Sequence, residues 1–363
     1  MAKNLRVGII GVSADGGWAR ESHVPAIRAI DGLELAAVAT RTQETADAAG
    51  AAFGVSRAYG DAAELIADPE VDIVTVAAPV PAHRDLLLAA LEAGKHVTTE
   101  WPVGTSTAQA EQIAAISAKS GLRTAVGLQS RMNPAAVRAL ALIESGTIGR
   151  VLSATVYSST AAFGRRVADS GLSLEKPETG MNLTTIQTAH TADFAIMLAG
   201  RLTSLAALTT IQYPELEAGD PPKPFHRTIP DHVLLHGRLA SGGALAVQVA
   251  GGRPPANTPF RMDVTGEHGS LALEGGAARG FQAGLLRLRL NGEPANATDS
   301  QTAGLAAPVV NVARVYAALR DDIAGGTSTT PDFGHAVRLS RLIDDIRTAA
   351  TTGQTITPTA AWP

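Results

Sequence analysis

The sequence contains no cysteine, which excludes disulfide bonds, thiolate nucleophiles and metal sites built on cysteine ligands. It also contains no apolar run of the length that a membrane-spanning helix needs. The chain begins with a strand-like segment instead of the apolar core of a signal peptide. We therefore expect a soluble, cytoplasmic protein that has no membrane partner.

Neither sign of charge is in large excess, since 30 lysine and arginine residues face 34 aspartate and glutamate residues and leave a net charge of −4. This balance argues against a nucleic-acid partner. The 9 histidines show no spacing typical of a metal site, so no metal is predicted. Hydrophobic residues make up 45% of the 363 residues, which is enough for the cores of two domains.

The first part of the chain alternates between apolar strand-like segments and helical segments. Leu5–Ile10, Leu33–Ala39 and residues 71–77 are apolar runs typical of buried parallel strands. Helical patterns separate them, and glycines follow several of these helices. The alternation predicts an α/β domain of the Rossmann type over residues 1–128, with a doubly wound parallel sheet.

After residue 130 most segments have the pattern of strands separated by Gly, Pro, Asn and Asp turns. A helical segment over residues 184–198 interrupts them, and amphipathic helices occur near the C-terminal end. We predict an α+β domain over residues 129–353 with one open, mostly antiparallel sheet. Residues 291–307 are predicted to be a loop, and residues 354–363 a tail.

The turn after the first strand has the composition of a dinucleotide-binding loop. Gly11 supplies a tight strand-to-helix turn, and Gly16 and Gly17 allow the backbone to approach a pyrophosphate at a helix N-terminus. Ser13 replaces the second glycine of the usual G-x-G-x-x-G pattern. The position of the loop at the start of the alternation favours a cofactor site over an ordinary turn. The predicted contacts here are Gly8, Gly11, Val12, Ser13, Gly16 and Trp18.

The end of the second strand discriminates between the two nicotinamide cofactors. A carboxylate at this point binds the ribose 2′-hydroxyl of NAD(H) and repels a 2′-phosphate. The sequence instead has Thr40 and Arg41, with no carboxylate before Glu44, and a guanidinium pairs well with a phosphate. NADP(H) is therefore the predicted cofactor, with NAD(H) as the alternative if Arg41 is only a solvated surface residue.

Several motifs resemble the glucose–fructose oxidoreductase/inositol dehydrogenase/MocA (Gfo/Idh/MocA) family across nearly the whole chain. They are the segments 79–83, 91–97, 127–134 and 190–193, together with Glu100-x-Pro102. The resemblance implies a nicotinamide cofactor, a small-molecule substrate such as a sugar or polyol, and a homodimer or homotetramer. Further cofactor contacts predicted on this basis are Ala78, Pro79, His83, Glu100, Trp101 and Gln129.

Two positions depart from the catalytic pattern of this family. Active members place a lysine beside the nicotinamide to assist proton transfer, but this sequence has Trp101 there and Ile186 where an aspartate is expected. Tryptophan has no group that titrates near neutral pH. Trp101 is predicted to line the reactive site, with core filling as the alternative. His190 matches the family's histidine and is the predicted acid–base residue, oriented by Asp193, with simple hydrogen bonding as the alternative.

Two functions are compatible with these observations. The first is an NADP(H)-dependent oxidoreductase with an atypical active site that acts on a small carbonyl, imine or sugar-derived compound. The second is a non-catalytic dinucleotide sensor or transcriptional co-regulator, because segments 17–19 and 228–232 resemble a branch of the family that contains a transcriptional regulator. The absence of long insertions that would bind a protein partner favours the enzyme.

Overall fold

The computed structural model describes residues 4–360 and residue 362, and it separates into two units. The first unit comprises the chain up to Gln129 together with Ser300–Val337. The second unit comprises Ser130–Asp299 and the chain from Arg338 onward. The predicted second domain, 129–353, differs from this division because it includes residues 300–337, which contain a helix that packs on the first unit.

In the described part of the chain, the first unit contains a parallel sheet of six strands. In chain order these strands are β1 (Leu5–Ile10), β2 (Leu33–Ala39), β3 (Arg57–Tyr59), β4 (Ile73–Val76), β5 (His96–Thr99) and β6 (Thr124–Val126). Their order across the sheet is β3-β2-β1-β4-β5-β6. Most residues of β1 and β4 are buried, as expected for a parallel sheet with covered faces. The predicted doubly wound sheet is confirmed.

Helical segments connect these strands. They are a π-helical turn (Ala19–His23) and the helices α1 (Val24–Ala29), α2 (Gln43–Phe53), α3 (Ala62–Ala67), α4 (His83–Glu92) and α5 (Thr107–Ser120). The side chains of Thr42, Asp61 and Ser106 accept hydrogen bonds from the first turns of α2, α3 and α5. Gly54 and Gly121 end α2 and α5 in the left-handed conformation. Polar caps and glycine ends therefore set the bounds of these helices.

The second unit, as far as the structure describes it, is built on an eight-stranded sheet. Its first elements are α6 (Pro134–Glu144), β7 (Val151–Ser159), β8 (Arg166–Val167), a second π-helical turn (Thr184–Thr188) and α7 (Ala189–Ala199). The strands that follow are β9 (Ala206–Thr210), β10 (Glu215–Ala218), β11 (Lys223–His226), β12 (His232–Arg238), β13 (Ala244–Ala250), β14 (Phe260–Gly266), β15 (Ser270–Gly275), β16 (Leu286–Leu290) and β17 (Glu293–Ala295).

The large sheet has the order β17-β16-β15-β14-β7-β13-β12-β9, and β11-β10-β8 form a small sheet. Strands β7 and β13 are parallel, whereas the other neighbouring strands of the large sheet are antiparallel. The predicted open, mostly antiparallel sheet is thus confirmed. Strand β17 lies in the segment 291–307 that was predicted to be a loop, and Ile356, in the predicted tail, forms a β-bridge with Leu205. Strand β17 has three residues and the bridge at Ile356 involves a single pair, so neither is long enough to show an alternating side-chain pattern.

Helix α7 packs its apolar side chains on one face of the large sheet. Phe194 of α7 lies edge-to-face on Phe260 and Phe281, with ring centroids 5.6 and 5.2 Å away. Phe260 and Phe281 stack with their centroids 4.0 Å apart. All three rings are buried, and burial of one such side chain stabilises the fold by about 1.5–3 kcal/mol. This cluster anchors the helix on which His190 lies.

The opposite face of the large sheet is open. In β12, Val233 and Leu235 are buried, whereas Leu234 between them is 40% exposed. Leu234 pairs with Leu208 of β9, which is 52% exposed. Such alternation is typical of a sheet that is covered on one side. These two leucines, Leu208 and Leu234, form what we call the open-face patch.

Helices α8 (Ala307–Gly325) and α9 (Phe333–Thr352) follow the last strand. Helix α8 packs against α1 and the first π-helical turn, with Tyr316 and Leu319 buried. The amides of Thr329 and Thr330, which follow α8, donate hydrogen bonds to the carboxylate of Asp322 in the helix. Because of these contacts, Ser300–Val337 belongs to the first unit. Among the residues described, no helix combines the length and apolar composition needed to span a bilayer.

The second unit contains a buried cluster of one cation and two carboxylates. Arg227 is fully buried and donates to both oxygens of Glu175, at 2.8 and 2.7 Å, and to Asp231 at 3.0 Å. It also donates to the carbonyl oxygens of Phe163 and Gly164. Buried charges are tolerated when they are paired and hydrogen-bonded. A single guanidinium therefore connects chain segments that are far apart in the sequence.

Removal of the Arg227 guanidinium leaves Glu175 and Asp231 buried without their counter-charge. We expect Arg227→Met to lower the free energy of unfolding by about 3–5 kcal/mol, measured by chemical denaturation followed by circular dichroism. The matched control is Arg261→Met, because Arg261 is 53% exposed and paired with Asp263 and Glu274. The expected loss in the control is about 1 kcal/mol or less, and equal losses in the two variants would contradict the prediction.

Candidate functional site

The carboxyl ends of β1 and β4 lie side by side where the strand order reverses. The amide of Ala77 donates to the carbonyl oxygen of Ile10 at 2.9 Å. Gly11 has a φ of 93°, and a Cβ at this position would lie 2.6 Å from the backbone nitrogen of Ala78. Glycine is therefore required for the two turns to approach so closely. Doubly wound sheets bind their ligands at this place.

The turn after β1 brings together most of the predicted pyrophosphate contacts. Val12 is buried, whereas Ser13 is exposed and accepts a hydrogen bond from the amide of Asp15 at 3.2 Å. A Cβ on Gly16 would meet no described atom within 4 Å. Trp18 directly precedes the π-helical turn, and its buried Nε1 has no hydrogen-bond partner among the residues described. The turn thus presents open backbone at a helical N-terminus, as an anionic ligand requires.

Gly8 has a packing role in addition to its predicted cofactor contact. It lies inside β1, and a Cβ at this position would lie 2.8 Å from Leu65 Cδ2. Leu65 belongs to α3 and is fully buried. Glycine is therefore needed here for the packing of α3 on the sheet, and the contact with the cofactor stays a prediction.

The end of β2 carries hydroxyl groups and an arginine. The Thr40 hydroxyl lies 2.6 Å from the Thr45 hydroxyl, and Thr42 accepts a hydrogen bond from the amide of Thr45. Arg41 is exposed, and its guanidinium makes no hydrogen bond or ion pair with any described residue. The first carboxylate, Glu44, lies in the first turn of α2. A cation without a partner beside hydroxyl groups is a donor set that suits a phosphate.

His83 connects the turns that follow β4 and β5. Its Nε2 lies 2.7 Å from the carbonyl oxygen of Ala78, and its Nδ1 lies 2.9 Å from that of Pro102. The side chain is fully buried, and this burial lowers the pKa of His83. Pro79, in the first of these turns, is exposed. His83 therefore supports the two turns, and its direct contact with the cofactor stays a prediction.

The remaining predicted contacts follow β5 and β6. Glu100 comes directly after β5 with its side chain 22% exposed, and a Cβ on Gly127 would lie 3.0 Å from Glu100 Oε1. The following residue, Trp101, is buried. Gln129 is also buried, and its Oε1 has no hydrogen-bond partner among the residues described. A buried acceptor without a donor indicates a ligand or water that donates a hydrogen bond.

Glu100 also ends a chain of hydrogen bonds that the sequence did not predict. His23 Nε2 lies 2.7 Å from Glu100 Oε1, and His23 Nδ1 lies 2.8 Å from the Tyr316 hydroxyl. The same hydroxyl lies 2.8 Å from Thr75 Oγ1. In the sequence, His23 is only a histidine on the helix after the glycine-rich turn, and Tyr316 only one residue on an apolar helix face. Neither pattern indicates that the two side chains meet.

The second unit carries the predicted acid–base residues on α7. His190 and Asp193 are both buried. Asp193 Oδ1 forms an ion pair with Arg131 Nη1 at 3.0 Å, which is a partner that the sequence did not predict. Ile186 and Thr188 lie in the π-helical turn before α7, and the Thr188 hydroxyl is buried without a hydrogen-bond partner among the residues described. This end of α7 thus combines a titratable ring, an ion pair and an unsatisfied hydroxyl.

The two units offer different chemistry. The first presents open glycine backbone, an unpaired guanidinium and hydrogen-bond acceptors at the carboxyl edge of its sheet, which together fit a dinucleotide. The second presents a buried histidine, a residue that transfers protons near neutral pH. Within residues 4–360 and 362, no group of three or more His, Asp or Glu side chains is arranged to hold a metal ion.

Protein-family models match both parts of the chain. Residues 5–128 match the Gfo/Idh/MocA model, described as an oxidoreductase family with an NAD-binding Rossmann fold. Residues 134–275 match the model of the C-terminal domain of Gal80p. The first match covers the site at the carboxyl edge of the parallel sheet, and the second covers α7 and much of the large sheet.

Individual relatives include both enzymes and regulators. Dehydrogenase aclE of Aspergillus oryzae is 32% identical over 292 residues, which cover 76% of this chain and 78% of that protein. The galactose/lactose metabolism regulatory protein GAL80 of Saccharomyces cerevisiae is 28% identical over 295 residues, which cover 76% of this chain and 68% of that protein. The sequence comparisons thus point to the same family through proteins of different function.

Solved structures share the fold over the whole chain. A super-repressor mutant of Gal80p from Saccharomyces cerevisiae superposes with a TM-score of 0.86 at 25% identity, covering 98% of both chains. Levoglucosan dehydrogenase in complex with NADH and L-sorbose superposes with a TM-score of 0.83 at 21% identity, covering 99% of this chain and 100% of the other. At such identities the second likeness establishes the fold alone.

Proposed function

Because the chain belongs to the Gfo/Idh/MocA oxidoreductase family, we propose that it is an NADP(H)-dependent oxidoreductase of a small carbonyl, imine or sugar-derived compound. The observation that carries the cofactor assignment is the unpaired Arg41 at the end of β2, where NAD(H)-binding domains place a carboxylate. Solved relatives hold NADH, so NAD(H) is the competing cofactor. The substrate assignment rests on the family and on the residue at position 101.

The adenine half of the cofactor is assigned to the turns after β1 and β2. The open backbone at Gly16 and Gly17 would receive the pyrophosphate, with the π-helical turn directed at it. Arg41 would pair with the 2′-phosphate, and the nearby Thr40 hydroxyl offers a further hydrogen bond. These groups bind and orient the cofactor and take no part in the reaction.

The nicotinamide half is assigned to the turns after β4, β5 and β6. The backbone at Ala78 and Pro79 and the carboxylate of Glu100 would hold the ribose, and the buried Gln129 Oε1 would accept a hydrogen bond. When bound, the cofactor supplies or accepts the hydride. Trp101 would exclude water from the reactive carbon through its buried indole, but it cannot move a proton.

His190 is proposed to hold the proton that balances hydride transfer. In the reducing direction, the ring would give a proton to the substrate oxygen or nitrogen while the adjacent carbon is reduced. In the oxidising direction the same ring would take that proton back, so His190 would replace the lysine that is absent from position 101 in both directions. Reduction of a carbonyl or imine is the direction that we propose to test.

A second candidate function is a dinucleotide sensor without turnover. Two observations favour it: the buried Trp101 at the position of a proton-transferring lysine, and the match of residues 134–275 to the C-terminal domain of Gal80p. In that case the first unit would bind the cofactor as described, and a protein partner would respond to its presence. The two candidates bind the cofactor in the same way. The enzyme would then convert a substrate, whereas the sensor would act on a protein partner.

We also propose that the protein is a homodimer or homotetramer whose subunits associate through the open-face patch. The support is the pairing of Leu208 and Leu234, which stand exposed side by side on adjacent strands. Contiguous apolar surface on one side of a sheet is typical of an interface. A closed pair of identical subunits would cover the patch on both.

The cofactor assignment predicts different effects of Arg41→Ala on two ligands. The dissociation constant of NADPH should rise about 10- to 100-fold, because a charge-assisted bond to the 2′-phosphate is lost. That of NADH should change by less than about twofold, since NADH lacks this phosphate. Fluorescence titration measures both, with Arg84→Ala as the control, since the partly exposed Arg84 pairs with Asp85. Equal or tighter binding of NADH by the native protein would overturn the assignment.

The reaction assignment predicts that His190→Gln lowers kcat by about 100-fold or more without changing the dissociation constant of NADPH. The assay follows NADPH oxidation with a panel of small aldehydes, ketones, imines and sugar-derived carbonyl compounds. The matched control is His226→Gln, which replaces an exposed histidine on β11. Tight NADPH binding with no native turnover on the whole panel would instead support the sensor, and Trp101→Lys then tests whether the missing lysine alone restores activity.

The interface assignment predicts that Leu234→Glu separates the subunits, because a carboxylate would be buried at the contact without a partner. Size-exclusion chromatography with light scattering should show a dimer or tetramer for the native protein and a smaller species for the variant. Val137→Glu is the matched control, since Val137 is similarly exposed but lies on α6. A native monomer at micromolar concentration would exclude the proposed interface.

A further inference from the structure

The chain of hydrogen bonds behind Glu100 joins four elements of the first unit. Glu100 follows β5, His23 ends the π-helical turn, Tyr316 lies on α8 and Thr75 lies in β4. The successive distances are 2.7, 2.8 and 2.8 Å. The chain therefore links a residue of the proposed nicotinamide site to the first π-helical turn and to α8, neither of which contributes a residue to that site.

Exposure changes along this chain from one end to the other. Thr75 and Tyr316 are fully buried and His23 is nearly so, whereas the side chain of Glu100 is 22% exposed. The carboxylate is thus the member of the chain that meets a ligand. The space around it is also confined, since a Cβ on Gly127 would lie 3.0 Å from Glu100 Oε1.

One direction of donation satisfies every member of the chain. An ionised Glu100 only accepts, so His23 donates to it from Nε2, and a ring with a single proton then has its lone pair on Nδ1. Tyr316 then donates to Nδ1 and accepts from Thr75. Burial raises the pKa of Tyr316 well above its ordinary range, so the phenol keeps the proton that it donates.

A glutamate that is partly exposed has several accessible rotamers, and a charge-assisted hydrogen bond selects one of them. His23 can act in this way because its own ring is held twice, by the Tyr316 hydroxyl and by an edge-to-face contact with the Tyr316 ring at 5.7 Å. Because the core holds Tyr316 in one position, Tyr316 holds the His23 ring in one position, and His23 in turn holds the Glu100 carboxylate.

We propose that His23 and Tyr316 are positioning residues, which hold the Glu100 carboxylate as the acceptor for a ribose hydroxyl of the nicotinamide half of the dinucleotide. The inference rests on the proposed binding of a nicotinamide dinucleotide by the first unit. It assigns to His23 an effect on one half of the ligand only. A purely structural role would instead affect both halves.

The test compares a whole dinucleotide with its adenine half. NADPH and adenosine 2′,5′-bisphosphate are titrated against the native protein and against His23→Phe, which removes the donor. We expect the dissociation constant of NADPH to rise about 10-fold and that of the bisphosphate to change by less than about twofold. His23→Gln, which keeps a donor near the position of Nε2, should recover most of the affinity for NADPH. NADH with ADP gives the same comparison without the 2′-phosphate.

A double-mutant cycle tests whether His23 acts through Glu100. In a Glu100→Gln background, His23→Phe should have little further effect on the affinity for NADPH. Tyr316→Phe removes one oxygen from the buried chain and keeps the ring, so it tests the same connection if His23→Phe does not fold. Its expected effect is a smaller loss of NADPH affinity, again without loss for the bisphosphate.

The outcomes separate this inference from the function on which it rests. Equal losses for the two ligands in every variant would show a purely structural role and overturn the inference, and unchanged NADPH affinity in every variant would do the same. Additive effects of His23→Phe and Glu100→Gln would show that His23 does not act through the carboxylate. If the native protein binds neither whole dinucleotide nor adenine half, the proposed function fails first and the inference falls with it.

Discussion

The close approach of two turns at Gly11 is the constraint on which the candidate site depends. A side chain at this position would collide with the backbone at Ala78, so the turns after β1 and β4 meet only with glycine there. The amide of Gly11 also donates to the carbonyl oxygen of Ala39 at the end of β2. The turn after β1 is therefore bound to both neighbouring strands. This arrangement brings the residues around Arg41 and Ala78 to one edge of the sheet.

Two buried histidines fix the position of the residues that follow the neighbouring strand, β5. His83 packs with its two ring nitrogens 2.9 and 2.7 Å from the carbonyl oxygens of Pro102 and Ala78, and so lies between the turns after β4 and β5. His23 connects Glu100, next to the second of these turns, to the phenol of Tyr316 in the core. A site whose groups are held by packed side chains loses little freedom when a ligand binds. The geometry of the edge thus depends on side chains that contribute little exposed surface of their own.

The sequence predicts those features that are encoded over short distances. Buried parallel strands appear as apolar runs, and caps such as Thr42 mark helix starts, so the alternation of the first unit was predictable. Strand β3 was not, because Arg57–Tyr59 is a three-residue edge strand with exposed positions. The bond between His23 and Tyr316 spans 293 positions, and no local pattern records such a pairing. Gly8 illustrates another long-range effect, since its motif gives no sign that Leu65 also requires the space beside it.

The two proposed functions, oxidoreductase and sensor, require the same cofactor site in the first unit. They differ in whether a substrate is converted beside Trp101. A buried chain of polar groups needs a complete set of partners to be tolerated, and apolar side chains would fill the same space with less constraint. The first unit nevertheless places His23, Tyr316 and Thr75 behind one carboxylate, with each bond made. Such an arrangement agrees with the proposal that these side chains fix Glu100, which would serve cofactor binding whether or not a substrate is converted. Dinucleotide binding is therefore the primary property that the geometry supports, and the chemistry at Trp101 and α7 decides what that binding is used for.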